Sequence, residues 1–220
     1  TEWWTKNRPV LLKGITGSGK TLVYMELIAD TLAEGKQVIM LIPEIALTRQ
    51  TVTRFVKRFG EKVSFLHSRL SEGERYDQMK AAKRGDVSIM VGPRSALFTP
   101  FTKLGLIIID EEHEETYRSE MTPRYHARET AEKRAEIEGA HLLLGSATPS
   151  ITSAYRVWEG RYAGESLTQR YGSAMLPKTL IVDMREEAAK GNRSMFCEEL
   201  SGRLRTCLDR GEQAMLFLSR

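Results

Sequence analysis

Cysteine is nearly missing from this chain of 220 residues, which carries only Cys197 and Cys207. No Cys or His stands at metal-ligand spacing beside them, so two reduced thiols on one helix are favoured over a disulfide or a local zinc site. Long hydrophobic runs are missing too. None approaches the roughly 18 residues of a membrane-spanning helix, and no signal peptide opens the chain. The expectation is a cytoplasmic protein with no membrane contact. Internal repeats and low-complexity tracts are also absent. Neither sign of charge dominates, with 33 Lys and Arg against 29 Asp and Glu, a net charge of +4. So mild a basic excess is compatible with a nucleic-acid partner without requiring one. A hydrophobic content of 41% with 28% charged residues describes an ordinary globular protein.

What is present begins with Gly14-Ile15-Thr16-Gly17-Ser18-Gly19-Lys20-Thr21. This is the G-x-x-x-x-G-K-[ST] phosphate-binding loop, and its flanks suit it. Val10-Leu11-Leu12 reads as a strand, and Leu22, Val23, Leu27, Ile28 and Leu32 carry helical spacing. Gly14, Gly17 and Gly19 allow a backbone tight enough for successive N–H groups to face phosphate oxygens, alongside Thr16 and Ser18. A helix starting near Lys20 adds its positive end. Lys20 then reaches the β/γ-phosphates, and the Thr21 hydroxyl ligates Mg²⁺. ATP and Mg²⁺ are the expected cofactors.

Apolar runs and helical stretches alternate along the rest of the chain. Strands are expected at 37–42, 63–66, 87–91, 104–109 and 141–144. Helices are expected at about 45–59, 71–84, 127–138 and 150–158, with a capping box at Ser71-Glu72-Gly73-Glu74. This order predicts an α/β fold of the P-loop NTPase, RecA-like kind: three layers around a central, mainly parallel sheet. Residues 1–158 form the first lobe. Residues 159–178 lose periodicity and read as a linker. Residues 179–220, with strands at 179–182 and 213–218 around a helix at 196–210, read as the incomplete start of a second lobe. An apolar run that stops at the last residues suggests a piece of a longer protein. Trp3 and Trp4 either cover a nucleotide base or pack on the core.

The most apolar strand, 104–109, ends in Asp110-Glu111-Glu112-His113, 90 residues beyond Lys20. Side chains at the carboxyl end of a parallel strand project into the ligand crevice. Asp110 is expected to hold Mg²⁺, and Glu111 to orient and deprotonate the attacking water. With Lys20 these are the expected catalytic residues.

Asp110-Glu111-Glu112-His113 resembles the DEXH box of the superfamily 2 helicases, and Gly145-Ser146-Ala147-Thr148-Pro149 resembles their third motif. Pro43-Glu44-Ile45-Ala46-Leu47-Thr48, Leu66-His67-Ser68, Gly92-Pro93-Arg94-Ser95-Ala96-Leu97-Phe98 and Pro123-Arg124-Tyr125-His126-Ala127-Arg128 resemble more closely the replication-restart DNA helicases within that superfamily. The resemblance implies an ATP-driven 3′→5′ DNA translocase. It implies single-stranded and fork DNA, primosome proteins and single-strand-binding proteins as partners, and a monomer. It further implies a cysteine-rich zinc module and arginine fingers beyond this chain, so that these residues alone either turn over weakly or only bind. Pro93 departs from the threonine usual in the family.

Thr48, Arg94 and Ser95 follow strands and are expected to contact a nucleic-acid backbone. Ser146 and Thr148 would couple the nucleotide to the nucleic acid, as the resemblance implies. Tyr117 and Tyr125, among Arg118, Arg124 and His126, either stack bases or cover the core. His113 either bridges that loop to the γ-phosphate or bonds a nearby carboxylate; His67 and His141 read as structural. A GTPase or nucleotide kinase ranks lower, because the chain has no Asn-Lys-x-Asp motif.

Overall fold

The structure is a computed structural model and describes residues 8–170 and 178–218. Trp3 and Trp4 lie outside them. Two compact units divide the chain, Thr1–Ala174 and Met175–Arg220.

The first unit is built on strands β1 (Val10–Gly14), β2 (Gln37–Leu41), β3 (Val63–Phe65), β4 (Ile89–Gly92) and β5 (Leu104–Ile109). A short hairpin follows, β6 (Arg118–Ser119) with β7 (Tyr125–His126), and then β8 (His141–Ser146) and β9 (Ala163–Leu167). Seven of these strands form one sheet in the order β3-β4-β2-β5-β8-β1-β9, and every pairing in it is parallel. Parallel pairing puts the carboxyl ends of β1, β5 and β8 on one edge, where the glycine loop, Asp110 and Ser146 emerge.

The continuous apolar strands have a physical explanation in the two faces of the sheet. Val10, Leu12, Val38, Met40, Leu106 and Ile108 pack against helices α1 (Lys20–Ala33) and α2 (Arg49–Phe59). Leu11, Ile39, Leu41, Ile107, Ile109 and Leu144 pack against α3 (Glu72–Arg84) and α4 (Ala127–Glu138). Alternate residues point to opposite faces, and both faces are covered, so the middle positions of β1, β2, β5 and β8 are apolar. The expected three-layer fold is present. Helix α3 starts with the predicted capping box, the Ser71 and Glu74 side chains each bonding the other's backbone.

Helix α2 starts later than expected, at Arg49. A single 3₁₀ turn at Glu44–Ala46 precedes it. The Thr48 hydroxyl accepts the Thr51 N–H and thereby sets the helix start. A larger difference lies in the expected linker. Residues Ala163–Leu167 of it form the edge strand β9, pairing in parallel along the whole of β1. Helix α5 (Ile151–Trp158) returns the chain to the sheet, and Glu132, Arg156 and Tyr162 tie α4, α5 and the approach to β9 together. The run Ala-Gly-Glu-Ser-Leu has little apolar signal because an edge strand buries little of its surface.

In the second unit, α6 (Met184–Ala189) and α7 (Glu198–Asp209) are the described helices. Cys197 is the N-cap of α7 rather than a residue within it, its Sγ accepting the Leu200 N–H, and both cysteines are free. The strands expected at 179–182 and 213–218 are not formed among the described residues. Leu180, Ile181, Met215 and Phe217 are exposed there. A strand is stable only when a neighbour accepts its hydrogen bonds, and no described segment pairs with these.

Candidate functional site

The glycine loop takes the conformation that its residues allow. Gly17 and Gly19 have φ of 80° and 88°, a left-handed region that favours glycine. Gly14 is needed for a different reason, since a Cβ there would lie 2.6 Å from the Ser18 hydroxyl and 2.7 Å from Cγ of Lys20. Helix α1 starts without a side-chain cap, whereas α2, α3 and α5 are capped by Thr48, Ser71 and Ser150. Its first-turn N–H groups and the buried, unpartnered Ser18 hydroxyl are the donors that a phosphate would accept from. Thr16 is exposed and Thr21 half-buried beside them. The residues present fit a polyphosphate. Lys20 donates to the Gly14 carbonyl at 2.8 Å and stands 3.8 Å from Glu111.

The acidic turn after β5 lies against this loop. Glu111 has a φ of 46°, the single non-glycine residue in the left-handed region among the described residues. Such strain persists only where the surroundings enforce it. The Glu112 N–H donates to the Gly145 carbonyl of β8 at 3.0 Å. The Glu112 carboxylate is buried and meets Arg128 of α4 at 3.2 Å, the Ser150 N–H at 2.7 Å and the Ser153 hydroxyl at 2.9 Å. Sequence reasoning gave Glu112 no role. Its signal lies in tertiary partners contributed by two later helices.

Asp110 accepts a hydrogen bond from the Tyr24 hydroxyl at 2.8 Å. Burial raises its carboxyl above the usual range, opposed first by that bond. The Tyr117 hydroxyl donates to the Asp110 carbonyl at 2.6 Å. Tyr117 is only 1% exposed, so stacking on a base is closed to it; of the expected alternatives it takes the core position, against the Asp110 backbone. Burial pushes the phenols of both Tyr24 and Tyr117 well up, so both act as neutral donors.

His113 joins the acidic turn to the end of β8. Its Nδ1 lies 2.8 Å from the Ser146 hydroxyl and 3.7 Å from Glu111, and its Nε2 lies 3.5 Å from the Thr148 hydroxyl. Ser146 also accepts the Thr148 N–H at 3.0 Å. The closer partners of His113 are therefore hydroxyls, with the carboxylate alongside.

The expected nucleic-acid contacts are only partly brought together. Arg94 and Ser95 line a cavity of about 370 Å³ with Ile45, Glu114 and Tyr117. Arg94 donates to the carbonyls of Thr116 and Arg118, at 2.7 and 3.2 Å, and so braces the 115–118 turn. Neither a free guanidinium nor a surface ion pair describes it. Tyr125 is half-buried, edge-on to Phe98 at 5.1 Å, with Arg94 beside its hydroxyl. Thr48 is exposed but serves as a helix cap apart from this cavity.

Residues 2–157 match the family model described as DEAD/DEAH box helicase. The chain is 50% identical over 215 residues to the replication restart protein PriA of Bacillus subtilis, covering 98% of this chain and 27% of that protein. With PriA of Synechocystis the identity is 46% over 216 residues, covering 96% and 26%. The chain thus spans about a quarter of the length of these curated relatives. Among solved structures, the Pyrococcus furiosus Hef helicase domain aligns with a TM-score of 0.51 and 21% identity, over 73% of this chain and 35% of that one. The helicase MrfA bound to DNA aligns with a TM-score of 0.51 and 17% identity, over 77% and 26%. These two likenesses concern the fold alone.

Proposed function

The chain belongs to the DEAD/DEAH box helicase family, and from that premise we propose that it is the ATP-binding lobe of a DNA helicase acting in replication restart. The names of its curated relatives support the restart role; movement 3′→5′ along single-stranded DNA is the direction that the resemblance implies. Fork DNA, primosome proteins and single-strand-binding proteins are the proposed partners of the whole protein, which acts as a monomer. A zinc module belongs to the proposal only beyond this chain.

The observation that carries the reading is the meeting of Lys20, Asp110 and Glu111 at one edge of the sheet, with Lys20 3.8 Å from Glu111. The glycine loop and Lys20 would hold the phosphates, and Thr21 and Asp110 the metal. Bound Mg-ATP supplies the transferable phosphoryl group and the cation that screens its charge. Glu111 accepts a proton from the attacking water at a carboxylate oxygen. His113, bonded to Ser146 and near Glu111, links the third motif to that base. Arg94, Ser95, Thr48 and Tyr125 offer the nucleic-acid side, and Tyr117 couples rather than stacks.

The test is ATP hydrolysis by the full-length protein, with and without single-stranded DNA, beside Glu111→Gln. Stimulation by DNA that disappears in the variant is expected. Turnover indifferent to DNA would move the protein to another class of NTPase.

A further inference from the structure

Tyr24 is completely buried and presents a hydroxyl where a phenylalanine would pack without polar cost. A buried hydroxyl without a partner costs stability, and with one it gains little over the apolar isostere. Packing alone therefore does not account for the oxygen. Its partner is Oδ1 of Asp110, 86 positions away and 2.8 Å distant. The fold reserves the space for it. A Cβ on Gly145 would lie 1.8 Å from the Tyr24 oxygen, so β8 must carry glycine opposite this side chain.

Tyr24 stands one helical turn after Lys20, on the buried face of α1. The helix that starts at the phosphate loop thus also holds the Asp110 carboxylate. On the other side, Tyr117 holds the Asp110 carbonyl at 2.6 Å. Asp110 is fixed at two points, one from each side.

We propose that the Tyr24 hydroxyl sets the rotation of the Asp110 carboxylate for the nucleotide's divalent cation, making Tyr24 a positioning residue of the metal site. The inference rests on the ATP-binding reading above. By linking Asp110 to the helix that carries Lys20 and Thr21, Tyr24 keeps metal ligands and phosphate ligands in one rigid unit.

The experiment uses the full-length protein, with Mn²⁺ as a spectroscopic substitute for Mg²⁺. Mn²⁺ binding in the presence of ADP is read by electron paramagnetic resonance in the wild type, Tyr24→Phe, Asp110→Asn and the double variant. ADP binding in EDTA is measured in parallel. Tyr24→Phe should weaken Mn²⁺ binding roughly three- to tenfold, the scale of one lost hydrogen bond. Metal-free ADP affinity and the melting temperature should stay near wild type. In the Asp110→Asn background the tyrosine substitution should change nothing. Unchanged Mn²⁺ affinity in Tyr24→Phe overturns the proposal. So does an equal loss of ADP affinity in EDTA, or a variant that does not fold, because either makes the hydroxyl a packing group. Equal losses with and without the Asp110 carboxylate overturn it as well. A wild type that binds no nucleotide overturns the ATP-binding reading itself, and shows this before any variant is compared.

Discussion

The Lys20 ammonium stands 3.8 Å from the Glu111 carboxylate, and it bonds the Gly14 carbonyl of its own loop at 2.8 Å. The proposed phosphate-binding cation and the proposed base therefore share one small volume, though they follow strands β1 and β5, which flank β8 in the sheet. If they work as proposed, they fail differently. Lys20→Ala should abolish measurable nucleotide binding by calorimetry. Glu111→Gln keeps the shape and the binding, and should lower turnover about 10²–10⁴-fold, the usual contribution of a general base. Equal loss of binding in both would place Glu111 in ground-state recognition.

Glu112 tests whether the acidic turn is held from behind. Its carboxylate and Arg128 form an ion pair with side chains only 0% and 7% exposed. Glu112→Ala leaves the guanidinium buried without its counter-charge, which should cost about 3–5 kcal/mol in urea unfolding. Glu112→Gln keeps the volume and one acceptor oxygen, so only one of the two bonds, from the Ser150 N–H or from the Ser153 hydroxyl, survives, and it should cost less than the alanine. A neutral Glu112→Ala would show that the turn is held by the Gly145 contact alone.

Gly145→Ala should destabilise the chain by about 1–3 kcal/mol or more, through overpacking against Tyr24. Adding Tyr24→Phe removes the nearest atom and should recover part of the loss. Additive losses in thermal unfolding would mean that the two positions do not meet.

His126 sets an acid limit. Burial is the largest cause lowering its pKa below 6.5; Arg128 and Arg118 act in the same direction, and Glu129 and Glu112 oppose it. Its Nδ1 accepts the Arg128 N–H at the start of α4, which requires the unprotonated nitrogen. The unfolded chain takes up the proton first, so the stabilisation is complete above about pH 6.5 and declines as pH falls through the lowered folded value. His126→Gln should flatten the stability profile below that pH. A slope identical to wild type would assign acid sensitivity to other groups.

The fold was legible in the sequence wherever burial on both faces of a strand left an unbroken apolar run. β2, β5 and β8 are of this kind, and so is the phosphate loop, whose glycines mark the backbone by themselves. Edge strand β9 was hidden, because Ala163–Leu167 buries too little to announce itself. The strands expected after Thr179 carry the right residues and no described partner.

The same division runs through the site. Local chemistry singled out Gly14 to Thr21, Asp110 and Glu111 as the proposed site, since each is marked by its spacing along one strand and turn. Only the tertiary structure decided that Tyr117 is buried behind Asp110, that Arg94 braces a turn, and that Tyr24 and Glu112 hold the acidic segment. Those four roles depend on contacts across 16 to 86 positions, apart from the seven separating Tyr117 from Asp110. Which hydroxyl or guanidinium meets which carboxylate or carbonyl is set by the sheet order and by helix packing. No local pattern encodes that choice.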